Sequence, residues 1–446
     1  MKIAVIGAKG LPAKQGGIEH HCEEIYSRIV RQGHSVDLFA RSSYTGSLTI
    51  DKYSIQGVRV ISLPCLQVKG MDALLSSALG AIASTGGSYD IIHFHALGPA
   101  LFTWLPKVAT TAKVVVTCHG LDWRRAKWSK ISSELIHLGE KAAVRFANRL
   151  IVVSEELNSY FRQTYNINTE YITNAPSSLG TSDPNFQYGS SLGLSSGKYI
   201  MFMGRLVPEK LPDVLIRAFQ TLKPEGYKLV LVGGTSDTGG YTSKLFELAA
   251  DNPDIVFTNE LNGPRLAEIL RHAKLFVLPS EVEGLPLALL EAMQEGIPVL
   301  ASNLPVHRQL LGIGKQRGML FPVGDVPACV QSLDWALTHP QELALMAKEA
   351  QEYIKTHHNW DDIASNTLKV YNQLLEQVPD DHQPVPVPDD HQPVPVPDDK
   401  EKLKTRNGFV HPFSKILPWP NRPQQRINKF SLLPFPGTET ITGQRK

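Results

Sequence analysis

The sequence has few cysteines, no long apolar run and no strong excess of charge. Its four cysteines (Cys22, Cys65, Cys118 and Cys329) are widely spaced and form no C-x2-C pair. This usage favours a reduced, cytoplasmic compartment over a disulfide framework or a zinc site. No apolar stretch approaches the roughly 18 residues of a membrane span, and MKIAVIG at the start has no signal-peptide pattern. The formal net charge of +2 gives no reason to expect nucleic acid as a partner.

Length and composition indicate a globular protein of at least two domains. The chain has 446 residues, of which 42% are hydrophobic and 20% charged, and chains beyond about 250–300 residues usually divide into domains. In the first half, helical patterns, such as that of residues 19–32, separate short apolar runs. The runs are IAVIG (3–7), SVDLFA (35–40), VRVISL (58–63), IIHFH (91–95), KVVVTCH (113–119) and RLIVVS (149–154). Alternation of this kind predicts an α/β fold with a parallel sheet covered on both faces.

A change in composition separates the two halves of the chain. Residues 177–197 are rich in Ser and Gly, lack periodicity and are predicted to form a linker. Strands are then predicted for YIMFMG (199–204), KLVLVGG (228–234), DIVFT (254–258), KLFVLPS (274–280) and PVLAS (298–302). We therefore predict two doubly wound domains, 1–180 and 198–355, and a helix over 356–377 that packs back toward the first domain. The cleft between the domains, at the carboxyl ends of the strands, is the expected ligand site.

The last part of the sequence differs from the rest. Residues 378–399 repeat VPDDHQPVP with a period of nine, and residues 400–446 carry ten Lys or Arg against two Glu, with aromatic residues among many prolines. Segments of this kind do not bury a core, so we expect an extended, disordered tail over 378–446. A solvated extension is the simpler interpretation of the basic part. The alternative is a peripheral contact with anionic lipid.

Two glutamates bracket the segment EGLPLALLE (283–291). The preceding strand should end near Ser280 and a helix should begin at about Pro286, which places Glu283 in the loop and Glu291 inside the helix. Backbone N–H groups at a helix start bind phosphate, and carboxylates accept hydrogen bonds from sugar hydroxyls. The segment could therefore hold a phosphate with hydroxyls on both sides. Taken alone, a solvated glutamate and a glutamate near a helix start are the simpler interpretation.

A second segment, GRLVPEK (204–210), follows the first predicted strand of the second domain. Its cations, Arg205 and Lys210, lie five residues apart, and a loop could bring them to one point. Two cations beside helix-start N–H groups suit a diphosphate, although each alone would be an ordinary surface residue. Because both segments follow strands of the same parallel sheet, we expect them at the same edge of that sheet.

The order and spacing of these segments resemble a known family. GRLVPEK followed by PSEVEGLPLALLEAMQEGIPVLAS resembles the retaining glycosyltransferases of family 4, and the resemblance extends from residue 1 to about 377. It implies the GT-B fold: two facing Rossmann-like domains, with the nucleotide sugar on the second and the acceptor mainly on the first. The implied reaction transfers a sugar from a nucleotide-diphosphate sugar to a glycan or lipid-linked acceptor, as in polysaccharide biosynthesis, with retention of anomeric configuration.

The resemblance also implies roles for the two cations. Arg205 and Lys210 would neutralise the diphosphate of the donor and stabilise the leaving group. Preorganised cations lower the barrier because the departing diphosphate gains negative charge. Such enzymes usually need no metal, and the sequence shows no spacing typical of metal ligands. The family often has Gly after this lysine, whereas this chain has Leu211, a difference that affects the local loop and not the charges.

The same resemblance assigns the residues of the second segment. Glu283 would contact hydroxyls of the donor sugar, and Glu291 would bind the ribose hydroxyls. Gly284 and Leu285 would present backbone N–H groups to the sugar or phosphate. These assignments make the two glutamates hydroxyl-binding residues.

A glycine-bearing loop, KGLPAKQGGIEHH (9–21), follows the first strand and precedes a helix predicted from about Ile18. Gly16 and Gly17 permit positive φ and a close approach of the backbone to a ligand. In the resembling family this loop lies near the donor phosphate and the acceptor. The alternatives are a plain tight turn and a dinucleotide-binding loop, but the glycines do not follow the G-x-G-x-x-G pattern that dinucleotide binding requires.

Histidines end two strands of the first domain. His119 follows KVVVTC, and in similar enzymes a histidine here contacts the donor sugar; a purely structural role is the alternative. His93 and His95 share one face of their strand, and because the sequence shows no third ligand, packing is preferred over a metal pair. Ser154 and Asn174 close later strands and are candidates to line the cleft.

Three other functions are weighed against glycosyl transfer. A glycosidase would use the glutamate pair as acid and nucleophile, but it gives no role to Arg205 and Lys210. A GT-B epimerase acting on a sugar nucleotide would share the fold and the donor site without needing an acceptor. A non-catalytic scaffold in polysaccharide assembly would use the tail as its interaction module.

Overall fold

The structure of the protein is a computed structural model. It describes residues 1–13, 16–46, 51–64, 71–124, 129–234, 239–250, 252–314 and 316–376. Cys65, the nine-residue repeat and the basic tail lie outside the described residues, so the predictions made for them stay predictions. No helix within these ranges combines the length and the apolar character needed to cross a membrane.

The first domain is built on an eight-stranded sheet. Its strands are β1 (Lys2–Ile6), β2 (Ser35–Arg41), β3 (Lys52–Ile55), β4 (Val58–Leu63), β5 (Ile91–His95), β6 (Lys113–Cys118), β7 (Arg149–Val152) and β8 (Glu170–Tyr171). Their order is β3-β4-β2-β1-β5-β6-β7-β8, and every pair is parallel except β3 with β4. All six strands predicted for this half are present. The sequence reasoning missed β3 and β8, which are short and only partly buried.

Helices cover both faces of this first sheet. They are α1 (Gly17–Arg31), α2 (Ser42–Thr45), α3 (Met71–Thr85), α4 (Leu97–Ala100), α5 (Trp104–Ala109), α6 (Lys130–Phe146) and α7 (Glu155–Tyr165), with a 3-10 turn at Asp122–Arg124. Ile3 and Val5 of β1 belong to the core on one face, whereas Ala4 and Ile6 belong to the core on the other. Alternate residues of a strand point to opposite faces, so a continuous apolar run is what a doubly covered strand requires.

The second domain is built on a six-stranded parallel sheet. Its strands are β9 (Tyr199–Met203), β10 (Lys228–Val232), β11 (Ile255–Asn259), β12 (Leu275–Leu278), β13 (Val299–Ser302) and β14 (Met319–Phe321). Their order is β11-β10-β9-β12-β13-β14. The helices that follow the first domain are α8 (Gln187–Ser191), α9 (Pro212–Leu222), α10 (Gly239–Ala249), α11 (Gly263–Arg271), α12 (Leu287–Gln294), α13 (Pro305–Leu311), α14 (Val326–Thr338), α15 (Pro340–His357) and α16 (Trp360–Glu376). The predicted α/β class with two Rossmann-like domains is confirmed.

The segment 177–197 is more ordered than a linker. It contains α8, and Leu179, Phe186 and Leu194 are buried in the core of the second domain. The Phe186 ring stacks on Tyr199, the first residue of β9, with the ring centroids 6.2 Å apart. Three apolar side chains spread over a Ser- and Gly-rich stretch give no helical or strand periodicity, so sequence reasoning assigned the stretch to a linker.

The last described helix, α16, packs on the first domain. Its apolar face contributes Trp360, Leu368 and Tyr371 to the core that covers β1 and β2. The Trp360 indole donates a hydrogen bond of 2.9 Å to the carbonyl of Pro176. The chain therefore returns to the first domain after completing the second.

Candidate functional site

The loop after β12 carries the two glutamates of the second domain. The strand ends at Leu278 and α12 begins at Leu287, so Glu283 lies in the loop and Glu291 in the second turn of the helix. Lys210 Nζ lies 2.5 Å from Glu283 Oε1, and the Ser280 hydroxyl donates to the same oxygen at 2.6 Å. The side chain of Glu283 is only 8% exposed. Glu283 and Lys210 are therefore a partly buried ion pair at the edge of the sheet.

The charge state of Glu283 follows from these contacts. Burial alone would raise the pKa of its carboxyl, but the charge of Lys210, the proximity of His307 and the hydrogen bonds from Lys210 and Ser280 hold that pKa below its usual range. The carboxylate is therefore ionised at neutral pH, and it keeps the ammonium group of Lys210 in the cleft.

The turn that carries the two cations has a strained residue. Arg205 is half-buried and lies two residues after the end of β9. Lys210 ends a 3-10 turn that begins at Pro208, and Leu211 then adopts the left-handed conformation, with φ 47° and ψ 42°. A non-glycine residue rarely adopts this conformation. The position where the resembling family often has glycine is therefore one where glycine would relieve strain.

The second glutamate, Glu291, faces the segment that joins the domains. It is 9% exposed, and burial raises the pKa of its carboxyl to about 7, an effect that hydrogen bonding from Ser177 opposes and the charge of Glu295 increases. With this pKa the carboxyl is about half ionised near pH 7, and its ionised form accepts hydrogen bonds from hydroxyl groups.

Backbone from both domains meets at the loop between Glu283 and α12. A Cβ atom placed on Gly284 would lie 2.0 Å from the carbonyl oxygen of His119, and one placed on Gly17 would lie 3.2 Å from Leu287 Cδ1. Leu285 packs against the cores of both domains. The carboxyl ends of the two sheets therefore meet along the predicted cleft.

The glycine loop of the first domain closes onto a buried glutamate. Gly16 has a φ of 95° and precedes α1, whereas Gly17 is the first residue of that helix and does not use a positive φ. Glu19 is 4% exposed and accepts a hydrogen bond of 2.9 Å from the backbone N–H of Lys9. Glu19 thus ties the two ends of the loop together. Sequence reasoning did not single out Glu19, because one glutamate in a first helical turn is ordinary.

Three histidines meet beside this loop. The rings of His21 and His119 have centroids 4.8 Å apart, those of His21 and His95 5.3 Å apart, and one ring nitrogen from each of the three lies within 4.8 Å of the others. The sequence showed no third histidine for this pair, and the structure brings His21 and His119 to His95, while the His93 ring stacks on His95 and bonds Thr117. The preference for packing over a metal pair stays a prediction. His21 and His95 lie 74 residues apart in the sequence, and a single sequence gives no indication that such distant residues are in contact.

The environment of this trio suits a neutral ring or a metal ligand. The Nδ1 of His21 lies 2.7 Å from Asn174 Oδ1, so Nδ1 donates and Nε2 is left as an acceptor. Burial lowers the pKa of His21 to about 4 and the pKa of His119 well below its ordinary value. Three neutral imidazoles with fixed partners are the kind of donor set that binds a transition metal.

A further histidine, His307, lies under the ion pair. It is fully buried, and its Nδ1 donates to the carbonyl of Ser302 at 2.7 Å, while its Nε2 has no hydrogen-bond partner among the described residues. Burial lowers its pKa to about 4, although the charge of Glu283 opposes this. His307 is therefore a neutral group next to Glu283 and Lys210. Sequence reasoning missed it, since a single histidine in a helix suggests no role.

The remaining candidates have structural roles in the first domain. Ser154 caps α7 by accepting from the N–H of Leu157, and Asn174 holds His21 as described above. Together, the site combines a buried cation–carboxylate pair, backbone amides near a helix start and several neutral hydrogen-bonding rings. Such a set can bind a phosphate group and sugar hydroxyls at the same time.

Comparison with known proteins places both domains in one enzyme class. Residues 190–353 match the family described as glycosyl transferases group 1, and residues 16–175 match the glycosyl transferase 4-like domain. A D-inositol 3-phosphate glycosyltransferase of Gordonia bronchialis is 25% identical, covering 84% of this chain and 89% of that protein. An uncharacterized glycosyltransferase of Methanocaldococcus jannaschii is 23% identical, covering 85% and 100%.

Solved structures share the fold at lower identity. The sucrose-phosphate synthase of Thermosynechococcus elongatus has a TM-score of 0.73 and 22% identity, covering 84% of this chain and 99% of that one. The Anabaena protein HepE, solved in complex with UDP-glucose, has a TM-score of 0.69 and 19% identity, covering 84% and 100%. These similarities show the two-domain GT-B fold.

Proposed function

The chain belongs to the group 1 glycosyl transferases and is a glycosyltransferase, and from this premise we propose that it uses a nucleotide-diphosphate sugar as donor and retains the anomeric configuration. The observation that carries the proposal is the partly buried pair of Lys210 and Glu283, which lies beside the loop that leads into α12. It puts a cation, a carboxylate and backbone amides where a sugar diphosphate needs all three. That HepE was solved with UDP-glucose supports this class of donor.

The cations act on the leaving group. In the proposed reaction the bond between the anomeric carbon and the diphosphate oxygen breaks, and a bond from the acceptor oxygen forms on the same face. The proton of the acceptor hydroxyl passes to an oxygen of the departing diphosphate. Lys210 and Arg205 stabilise the negative charge that develops there, and no metal is needed for this step.

The carboxylates bind hydroxyl groups. Lys210 and Ser280 both bond Oε1 of Glu283, so we assign Oε2 to a hydroxyl of the donor sugar. Glu291, buried near the join of the domains, is assigned to the ribose hydroxyls. A sugar hydroxyl that donates to a buried carboxylate replaces solvation that burial has removed.

Backbone and ring groups complete the donor site. The N–H groups of Gly284 and Leu285 are assigned to the sugar or phosphate, because they precede α12. Gly16 and Gly17 approach from the first domain, beside the acceptor. His119 is assigned to the donor sugar, because its backbone touches Gly284. These residues form the catalytic and donor-binding set of the proposal together with the ion pair.

The acceptor is proposed to be a glycan or a lipid-linked intermediate, held mainly by the first domain, with the enzyme in the cytoplasm. A peripheral contact between the basic tail and anionic lipid is part of the same proposal. Sedimentation with anionic liposomes tests it, comparing the full chain with one that ends at Gln377. Equal sedimentation of the two removes the tail from the proposal.

The donor is identified by offering a panel of sugar nucleotides and measuring two responses. A true donor should raise the unfolding temperature by mass action and should release its nucleotide diphosphate in the presence of acceptor. NMR of the product should show the anomeric configuration of the donor. Donor isomerisation without transfer, or binding without any turnover, would contradict the proposal.

The proposed independence from metal has its own test. Turnover should persist after treatment with EDTA, because Arg205 and Lys210 supply the positive charge. If a metal ion were required at the trio of His21, His95 and His119, EDTA would abolish turnover, and His21→Gln would lower the metal content measured by mass spectrometry.

A further inference from the structure

A hydrogen-bonded network of buried side chains leads from α16 to His119. The hydroxyl of Tyr371 lies 2.5 Å from His93 Nδ1, and the hydroxyl of Tyr26 lies 2.7 Å from His95 Nε2. His95 Nδ1 lies 3.1 Å from His119 Nε2. The first four of these side chains are fully buried, whereas His119 is half-buried. This network therefore connects the core of the first domain to the cleft.

Every side chain of this network is neutral near pH 7. Burial lowers the pKa of His93, His95 and His119 well below the ordinary histidine value, and burial raises the pKa of Tyr26 and Tyr371. A neutral imidazole has one nitrogen that donates and one that accepts. The bond made by one nitrogen therefore fixes the role of the other.

The distances are compatible with one arrangement of protons that gives every nitrogen of the network a partner or an outward-facing proton. The Tyr26 hydroxyl lies 2.7 Å from His95 Nε2 and 3.0 Å from His93 Nδ1, and it also lies within hydrogen-bonding reach of the Tyr371 hydroxyl. Tyr371 is closer to that His93 nitrogen, at 2.5 Å. An imidazole nitrogen that accepts has one lone pair, so in this arrangement Tyr371 donates to His93 and Tyr26 donates to His95.

The same arrangement of protons sets the other hydrogen bonds of the network. With His93 Nδ1 as acceptor, the proton of His93 is on Nε2, which then donates to the Thr117 hydroxyl, 2.8 Å away. Because His95 Nε2 accepts, His95 Nδ1 carries the proton and donates to Nε2 of His119. His119 then holds its own proton on Nδ1, the nitrogen outside the network.

We propose that Tyr371 is a positioning residue that, through His93, Tyr26 and His95, holds His119 in the tautomer with the proton on Nδ1. In this tautomer His119 presents a fixed N–H donor to the donor sugar, a role that rests on the proposed function. Through this network, α16, the helix that follows the second domain and packs on the first, contributes to the site. A preorganised donor contributes more than one that must first reorient.

Tyr371→Phe tests the proposal, because it removes one hydroxyl and keeps the ring. Without that hydroxyl, His93 Nδ1 is open to the proton of Tyr26, and the bonds between His95 and His119 are free to reverse. We expect ¹⁵N NMR of labelled histidine rings, with His119→Gln to assign the signal, to show the proton of His119 on Nδ1 in the wild type and partly on Nε2 in the variant. The value of kcat/KM for the donor should fall about tenfold, as expected for one hydrogen bond.

Tyr199→Phe is the matched control. Tyr199 is also fully buried, but its hydroxyl donates to the carbonyl of Ile269 in the second domain, at 2.5 Å. Tyr199→Phe should lose about as much unfolding free energy as Tyr371→Phe, and it should leave both the NMR signal of His119 and kcat/KM unchanged. If Tyr371→Phe fails to fold, Tyr26→Phe removes the donor to His95 and should give the same change of tautomer.

An Nε2–H tautomer of His119 in the wild type, or an unchanged tautomer in a folded Tyr371→Phe variant, would overturn the proposal. A changed tautomer with unchanged kcat/KM would overturn the assignment of His119 to the sugar. The NMR signal does not depend on turnover, so failure of the proposed function, seen as absence of transfer with every donor, is distinguishable from failure of the network.

Discussion

Lys210 and Glu283 lie 73 residues apart in the sequence and form an ion pair that excludes most solvent. Breaking such a pair leaves one uncompensated charge in a poorly solvated position. A diphosphate that enters the cleft offers Lys210 a second anionic partner, whereas Glu283 retains the hydroxyl of Ser280. At the scale of single residues, the site is thus charged and ordered before a donor binds.

Glu291 gives a prediction about stability and pH. Its pKa is raised from 4.5 to about 7 in the folded protein, so the folded state binds this proton more tightly than the unfolded state. The associated stabilisation is complete below the unfolded pKa and is lost as the pH rises to about 7. Relative to Glu291→Gln, the wild type should lose on the order of 3 kcal/mol of unfolding free energy between about pH 5 and pH 8.

Urea unfolding of both proteins at the two pH values measures this difference. The glutamine variant keeps the size of the side chain and cannot titrate, so it serves as the reference. A free-energy difference that does not change with pH would show that Glu291 is not the buried acid described here.

The turn between the 3-10 segment and α9 contains a leucine in the left-handed conformation. Leu211→Gly should remove about 1 kcal/mol of left-handed strain and lose some packing, because Leu211 is half-buried against the second core. We expect its unfolding free energy to stay within about 1 kcal/mol of the wild type. Leu266→Gly, at a half-buried position inside α11, should cost at least about 2 kcal/mol. Equal losses of unfolding free energy in Leu211→Gly and Leu266→Gly would show that Leu211 is not strained.

Sequence reasoning succeeded for elements with a strong local pattern and failed for contacts between distant residues. The runs that became β1, β9 and β12 are continuously apolar, as buried parallel strands require. Short strands such as β14 offered no such run. The positions of Arg205 and Glu283 at one sheet edge followed from the rule for parallel strands, but no local rule brings His21 to His119. The conformation of Leu211 followed only from the backbone.

At the scale of the whole molecule, the two domains approach closely enough to exclude a side chain. A methyl group on Gly284 would lie 2.0 Å from the carbonyl oxygen of His119, and a backbone atom does not move aside cheaply. Gly284→Ala should therefore separate the domains, which would appear as a larger radius of gyration in small-angle scattering and as at least tenfold lower turnover.

Gly240→Ala is the control for that change. Gly240 lies in α10 and has no positive φ, and a methyl group added there would meet no heavy atom of the described residues within 4 Å. The variant should keep the wild-type scattering and turnover and gain a few tenths of a kcal/mol from helix propensity. Wild-type scattering of Gly284→Ala would show that the domains do not need this contact.

We propose that Lys210 stabilises the departing diphosphate, and a single kinetic comparison tests this role. Turnover of the donor should be measured for the wild type, Lys210→Ala and Lys355→Ala, the last being an exposed lysine on α15. We expect kcat to fall about 10²- to 10³-fold in Lys210→Ala, the loss typical of removing a group that stabilises developing charge. In Lys355→Ala kcat should stay at the wild-type value. Wild-type turnover by Lys210→Ala would contradict this role of Lys210.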